Sequence, residues 1–411
     1  MLHNCRLSLL IVYTLACLLL LLLLAGVHWS RTNDPRGSNA EVFISSLHEN
    51  GNFEHYNNHS EGSIADFCSD GQHALGSWVE SGPRNITPCC AWIPAEMAVN
   101  PEEYCGTFGA EGAFQRSEPS VGVYRGPKHF LAFTISCAAT PAASCRGFTD
   151  TFVWKPSLCQ LLEWNAAQFC QLLGNQTMLF IGDSTMEQTA SSLMSNIRYP
   201  FWSTTAGCQE QIIFAPGDTL IGRSLGVSNR GSYWVEHVRQ LKPDVVVLNV
   251  GAHIAASADS DAVFASTLNQ VLDEHQLLFP ELTVFWRSQM SGGCSERILD
   301  QERDDTRWAA YAASQPMYNY HLFRKWDSIA RDIISSRNSQ LVRFLDMAPL
   351  RIRADAMSGS LPSSPVYNHD CIHFCTPGPM DHLFLRVILQ GMFNVAQGSP
   401  NMVATNTPVQ G

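Results

Sequence analysis

From Met178 onward, short apolar runs alternate with stretches of helical period, and this alternation restricts the chain to an α/β fold with a parallel sheet covered on both faces. The clearest strand is Asp244-Val-Val-Val-Leu-Asn249, whose unbroken apolar run leaves no polar face for water. Strands are expected at 178–182, 210–214, 244–250, 282–288 and 341–346, and helices near 186–196, 231–241, 260–278, 319–337 and 380–394. Sheets of this kind bind ligands beyond the carboxyl ends of their strands. Ser184, the segment from Asn249 to His253, and Arg287 all fall there.

The first strand runs into Met178-Leu-Phe-Ile-Gly-Asp-Ser-Thr-Met-Glu-Gln188. Gly182 permits a tight turn, and Ser184 stands where the next helix begins, beside unpaired backbone N–H groups and the positive end of a helix dipole. A serine nucleophile and the oxyanion it creates are served by such a place. A serine here is also a common helix cap, so Gly-Asp-Ser does not decide the matter alone. The second signal is Asp370-Cys-Ile-His373, followed by Pro377, Gly378 and Pro379. On a turn, that spacing lets the carboxylate hold one imidazole nitrogen while the other faces a serine. Together Ser184, His373 and Asp370 read as nucleophile, base and orienting acid.

These blocks resemble the SGNH/GDSL hydrolase superfamily. The segment Asp370-Cys371-Ile372-His373-Phe374-Cys375-x-Pro377-Gly378 is similar to one in the plant trichome birefringence-like proteins of its PC-esterase branch, which contains polysaccharide O-acetyltransferases. Gly76-Ser-Trp-Val79, Phe152-Val-Trp-Lys-Pro-Ser-Leu-Cys159 and Phe285-Trp-Arg-Ser288 extend the resemblance over about residues 66 to 395. Gly182-Asp-Ser-Thr-x-x-Gln188 and Gly251-x-His253 look closer to the animal neurexophilin-and-PC-esterase-domain proteins, and the plant Arg-Asn-Gln after the serine is missing. The resemblance implies a flavodoxin-like SGNH three-layer sandwich. It also implies that Asn249, or the backbone near Gly251, joins Gly182 and Ser184 in an oxyanion hole. Asn249 as a strand-end cap and His253 as a loop residue are the alternatives. Arg287 suits an acceptor or an oxyanion, or an ion pair with a nearby carboxylate.

The N-terminal part determines where such an enzyme would work. Residues 7–27 carry no charge and include seven consecutive leucines from Leu18 to Leu24, enough to span a bilayer as a helix; a cleaved signal peptide is the alternative. Of the 14 cysteines, 12 lie beyond that run, which reads as disulfides in an oxidising compartment. Asn58, Asn85 and Asn175 head glycosylation sequons. The expected organisation is a cytoplasmic tail at 1–6, a signal anchor at 7–27 and a flexible stem at 28–64. A cysteine-rich lobe at 65–175, a catalytic domain at 176–396 and a tail at 397–411 complete it. This is the layout of a type II Golgi membrane protein with its bulk in the lumen.

The formal charge of −11, without a basic block, argues against a nucleic-acid partner. His369, Asp370, Cys371, His373 and Cys375 imitate a zinc site, but cysteines of an oxidising lumen pair, so no metal is expected and Cys371 and Cys375 read as disulfide anchors of the histidine loop. The expectation is therefore an O-acetyltransferase moving acetyl to a glycan hydroxyl through an acyl-serine. It holds no bound cofactor and needs an acetyl donor, acetyl-CoA being one candidate. A carbohydrate acetylesterase using the same residues, and a non-catalytic glycan-binding protein, remain open.

Overall fold

A computed structural model describes residues 67–82, 124–125, 150–198, 208, 211–221, 233–255, 257–290, 292–293, 298–299, 319–357, 371–375 and 378–398. The expected span at 7–27, the stem, Asn58, Asn85 and Asp370 lie outside the described residues. Among the described residues no helix is long and apolar enough to cross a membrane. All of the described residues belong to one compact unit, residues 64–411.

The strands are β1 (Gly76–Glu80), β2 (Tyr124–Arg125), β3 (Phe152–Pro156), β4 (Met178–Gly182), β5 (Ile212–Pro216), β6 (Val245–Leu248), β7 (Thr283–Arg287) and β8 (Val342–Leu345). The helices are α1 (Ala166–Leu173), α2 (Ser184–Arg198), α3 (Trp234–Leu241), α4 (Ser260–Leu278), α5 (Phe323–Ser336) and α6 (Pro379–Ala396). Strands β4 to β8 form a five-stranded parallel sheet in the order β5-β4-β6-β7-β8, with β2 added antiparallel at the β5 edge. Ranked along the chain, the parallel strands read 2-1-3-4-5, a doubly wound order with its switch point between β4 and β6.

Side chains of β4 leave alternately on the two faces of the sheet, as strand geometry requires. Met178 and Phe180 join a core with Phe169 of α1, Leu193 and Ile197 of α2, and Leu383, Phe384 and Ile388 of α6. Leu179 and Ile181 join a second core with Trp234 of α3, Phe264 and Leu268 of α4, and Trp326 of α5. Two apolar faces covered by helices explain why β4, β6 and β8 are buried along their whole length. Each fully buried Phe or Leu contributes about 1.5–3 kcal/mol.

The element boundaries differ from expectation where side chains bind backbone. The strand expected over 244–250 ends at Leu248 because the Asn249 side-chain amide donates to the Arg287 carbonyl (2.9 Å) and Gln289 donates to the Val250 carbonyl (2.6 Å). The helix expected from 319 begins at Phe323, after a 3-10 turn at Tyr320–Leu322, and Asn319 is tied to the Ile254 carbonyl. The strand expected at 210–214 lies two residues later, at Ile212–Pro216.

The small β1–β3 sheet is fixed to the main sheet through polar contacts. Cys68 is bonded to Cys159, and Cys170 to Cys208. His73 Nε2 lies 2.7 Å from the Asp346 carbonyl, Arg343 reaches Asp70 at 2.9 Å, and Trp78 donates to the Pro349 carbonyl at 2.8 Å. Arg353 stacks over Trp78 and Phe152 and bonds Asp150 and Asp355, each at 2.9 Å. Apart from Arg353 to Asp355, these contacts join residues far apart in sequence.

Burial holds three histidines below their ordinary pKa. Desolvation dominates at His73, partly opposed by Asp346; at His237, partly opposed by Glu236; and at His275, partly opposed by its bond to the Leu282 carbonyl. The unfolded chain then binds more protons than the folded one as the pH falls below about 6.5. Their contribution is fully present above that value and is lost as the pH falls through the depressed folded values. Urea midpoints should therefore drop between pH 7 and pH 5, and His73→Gln should flatten that slope.

Candidate active site

The turn that carries Ser184 is built where β4 ends and α2 begins. Asp183 caps the helix: its Oδ1 accepts from the Thr185 N–H (2.9 Å) and from the Thr185 hydroxyl (2.6 Å), and its carbonyl accepts from Met186 and Glu187. A carboxylate reaching the N–H two residues on is an efficient cap. Asp183, rather than Ser184, performs that task, and the helix accordingly starts two residues before the expected 186. The Ser184 side chain is left for another partner.

That partner is His373. Its Nε2 lies 2.8 Å from Ser184 Oγ, across 189 residues of sequence. This is the distance at which an imidazole takes a hydroxyl proton, provided that Nε2 is the unprotonated nitrogen and Nδ1 carries the hydrogen. Ser184 is 9% exposed and His373 is half-buried, at the carboxyl edge of the sheet. The third expected member, Asp370, lies outside the described residues.

The histidine loop is attached on several sides. Cys371 and Cys375, two residues to either side of His373, both carry disulfides, which withdraws their sulfurs from metal binding. The Cys371 carbonyl accepts from Gly293, the Cys375 N–H donates to Ala356, and Phe374 bridges Met357. Gln188, one helical turn after Ser184, donates to the Phe374 carbonyl (2.7 Å) and accepts from its N–H (3.2 Å).

Gly182 is needed for close approach: a methyl group on it would lie 2.7 Å from Met186 Cβ and 3.1 Å from the Asn249 carbonyl. Gly182→Ala is expected to destabilise the protein by about 1–3 kcal/mol, read from thermal unfolding, through displacement of the nucleophile turn. Gly251 is constrained similarly, its added carbon falling 2.5 Å from Gln289 Nε2. Its carbonyl accepts from Ile254, closing the turn that carries His253, which is 9% exposed.

Asn249 follows β6 and Arg287 closes β7, at the carboxyl ends of the strands as expected. Both are fully buried. Arg287 Nη2 donates to Thr185 Oγ1 at 2.7 Å, and Thr185 in turn donates to Asp183, so the guanidinium underpins the turn that carries Ser184. Burial pushes the Arg287 guanidinium down to about 10, opposed by the charges of Asp183 and Asp327, and leaves it charged at neutral pH. Asn249 joins the ends of β6 and β7 through the Arg287 carbonyl. Thr185 and Gln188 belong to the Gly182-Asp-Ser-Thr-x-x-Gln188 run but were given no role there, and Gln289 lies outside the motifs. Polar residues spaced one turn apart on an otherwise buried helix were the available signal for Gln188.

No family model and no curated protein matches the chain. Among solved structures, similarity is found to a carbohydrate esterase family 2 enzyme with a carbohydrate binding domain from Corynascus thermopiles (Myceliophthora fergusii), at 14% identity and a TM-score of 0.30, over 61% of this chain and 72% of that one. It is also found to the periplasmic domain of a lipopolysaccharide acetyltransferase of Salmonella ser. Paratyphi A, at 12% identity and a TM-score of 0.28, over 59% and 90% of the two chains. Likeness at this level carries no argument about activity.

Proposed function

We propose that the chain is a serine enzyme of the SGNH type that handles acetyl groups on carbohydrates, acting as an O-acetyltransferase toward a glycan hydroxyl. The observation that supports this reading most is the 2.8 Å approach of His373 Nε2 to Ser184 Oγ at the start of a helix on the sheet's carboxyl edge. The motif blocks around both residues supply the acetyl and glycan parts of the proposal.

In this reading His373 takes the Ser184 proton as Oγ attacks the acetyl carbonyl of the donor. Backbone N–H groups at Gly182 and Ser184 are the donors proposed to face the oxyanion. The donor's leaving group departs with the proton held by His373, and acetyl-Ser184 remains. A sugar hydroxyl then gives its proton to His373 and attacks the ester, and Ser184 leaves, recovering that proton. Asp370 is proposed to orient the imidazole. Acetyl-CoA is a candidate donor. Water in place of the sugar makes the same residues an acetylesterase, so sugar binding and water exclusion separate the two outcomes.

The disulfides Cys68–Cys159 and Cys170–Cys208 favour an oxidising compartment, and the apolar run at 7–27 favours a signal anchor, hence the proposed Golgi lumen. Asn175, exposed between α1 and β4, is open to glycosylation there. The test is to offer the full chain an acetyl donor and a panel of glycans and to follow acetyl by mass spectrometry. Acetyl gain on a glycan supports the transferase. Release of acetate from acetylated glycans, without transfer, favours the esterase, and neither reaction leaves the binding protein.

A further inference from the structure

We propose that Gln188 is a positioning residue that holds the catalytic base against the nucleophile; the inference rests on the reading of Ser184 and His373 as a reacting pair. Residues four apart on a helix share a face, so Ser184 and Gln188 point the same way from α2. Ser184 meets the imidazole of His373, and Gln188 meets the backbone of the very next residue. Its amide donates to the Phe374 carbonyl at 2.7 Å and accepts from the Phe374 N–H at 3.2 Å, pairing with both polar groups of one residue.

Among side chains, only Asn and Gln carry a neutral donor and a neutral acceptor in one planar amide, and Asn is a carbon shorter. Gln188 is 3% exposed and Phe374 is fully buried, so water cannot substitute for the pair without displacing packed groups. The bonds to Gly293, Ala356 and Met357 fix the loop to segments that follow β7 and β8. Those bonds set the loop relative to the sheet. The amide of Gln188 sets it relative to the helix that carries Ser184, and the separation of the two reacting atoms depends on that second reference. Proton transfer requires about 2.6–3.2 Å between heavy atoms, and a displacement near 1 Å can slow a reaction by about 10²-fold.

Two substitutions separate positioning from mere stability. Gln188→Leu removes both bonds. Gln188→Glu keeps the acceptor for the Phe374 N–H, but once ionised it turns a lone pair toward the Phe374 carbonyl and places a negative charge near His373. The full chain and both variants would be treated with a fluorophosphonate across a pH series, with the rate of Ser184 labelling followed by peptide mass spectrometry. Amide exchange over 371–375 would be measured in parallel. We expect Gln188→Leu to label roughly ten- to a hundredfold more slowly with faster exchange at Phe374. We expect Gln188→Glu to lose labelling as the pH rises through its own ionisation, a pH dependence that simple loss of packing does not produce.

Wild-type labelling rates and pH profiles in both variants would overturn the proposal, as would unchanged exchange at Phe374. Failure of the unsubstituted chain to label at Ser184 would instead count against the reacting pair itself. In that case the exchange measurement still decides whether Gln188 holds the loop.

Discussion

Ser184→Ala is expected to lower acetyl transfer or hydrolysis by roughly 10⁴-fold or more while leaving the fold intact. Loss of the nucleophile removes the covalent route altogether, and what survives is the binding and oxyanion contribution of the remaining site. The hydroxyl is not part of the helix cap, which Asp183 supplies through its contacts to Thr185, so its removal should cost little stability. Equal melting temperatures beside a lost activity would therefore separate chemistry from folding. A parallel loss of both would mean that Ser184 is structural.

Arg353→Met should have the largest effect on stability. Its guanidinium bonds Asp150, whose side chain is fully buried, and Asp355, and lies 4.8 Å from the Trp78 ring centroid and 5.3 Å from that of Phe152. Those carboxylates hold the arginine above its ordinary pKa despite the cost of burial, so the ion pair is present throughout the useful pH range. Deleting the cation takes the guanidinium from the buried Asp150 carboxylate, which keeps the Phe152 N–H, and breaking a buried pair from one side costs about 3–5 kcal/mol. Urea unfolding of the variant checks this. The companion Asp150→Asn in the Arg353→Met background should recover part of the loss, because the uncompensated charge is then gone.

Much of the parallel sheet could be read from the sequence because buried parallel strands must be apolar on both faces. Met178–Gly182 and Ser260–Leu278 fall where expected, and the other elements differ mainly at their ends. At the end of β6 and the start of α5 the reason is shared: Asn249, Gln289 and Asn319 bind carbonyls of neighbouring segments, and no local pattern announces such partners. The meeting of Ser184 and His373 was legible because two short motifs fall at positions that a doubly wound sheet can bring together.

Arg287 illustrates the opposite case. A charged residue at a strand's carboxyl end reads as a ligand contact, and Arg287 is fully buried there, donating to Thr185 Oγ1, which itself donates to Asp183. The docking of the β1–β3 sheet was equally hidden, since the contacts of His73 and Arg343 span 273 residues each.

The central claim is that acetyl passes through Ser184. The most direct measurement mixes the full chain with an activated acetyl ester, quenches with acid within the first turnover, and maps acetyl by peptide mass spectrometry. The account predicts acetyl on the peptide containing Ser184, absent from Ser184→Ala and slowed in His373→Ala. Turnover of the ester with no acetyl at Ser184, or with acetylation unchanged when His373 is replaced, would contradict it.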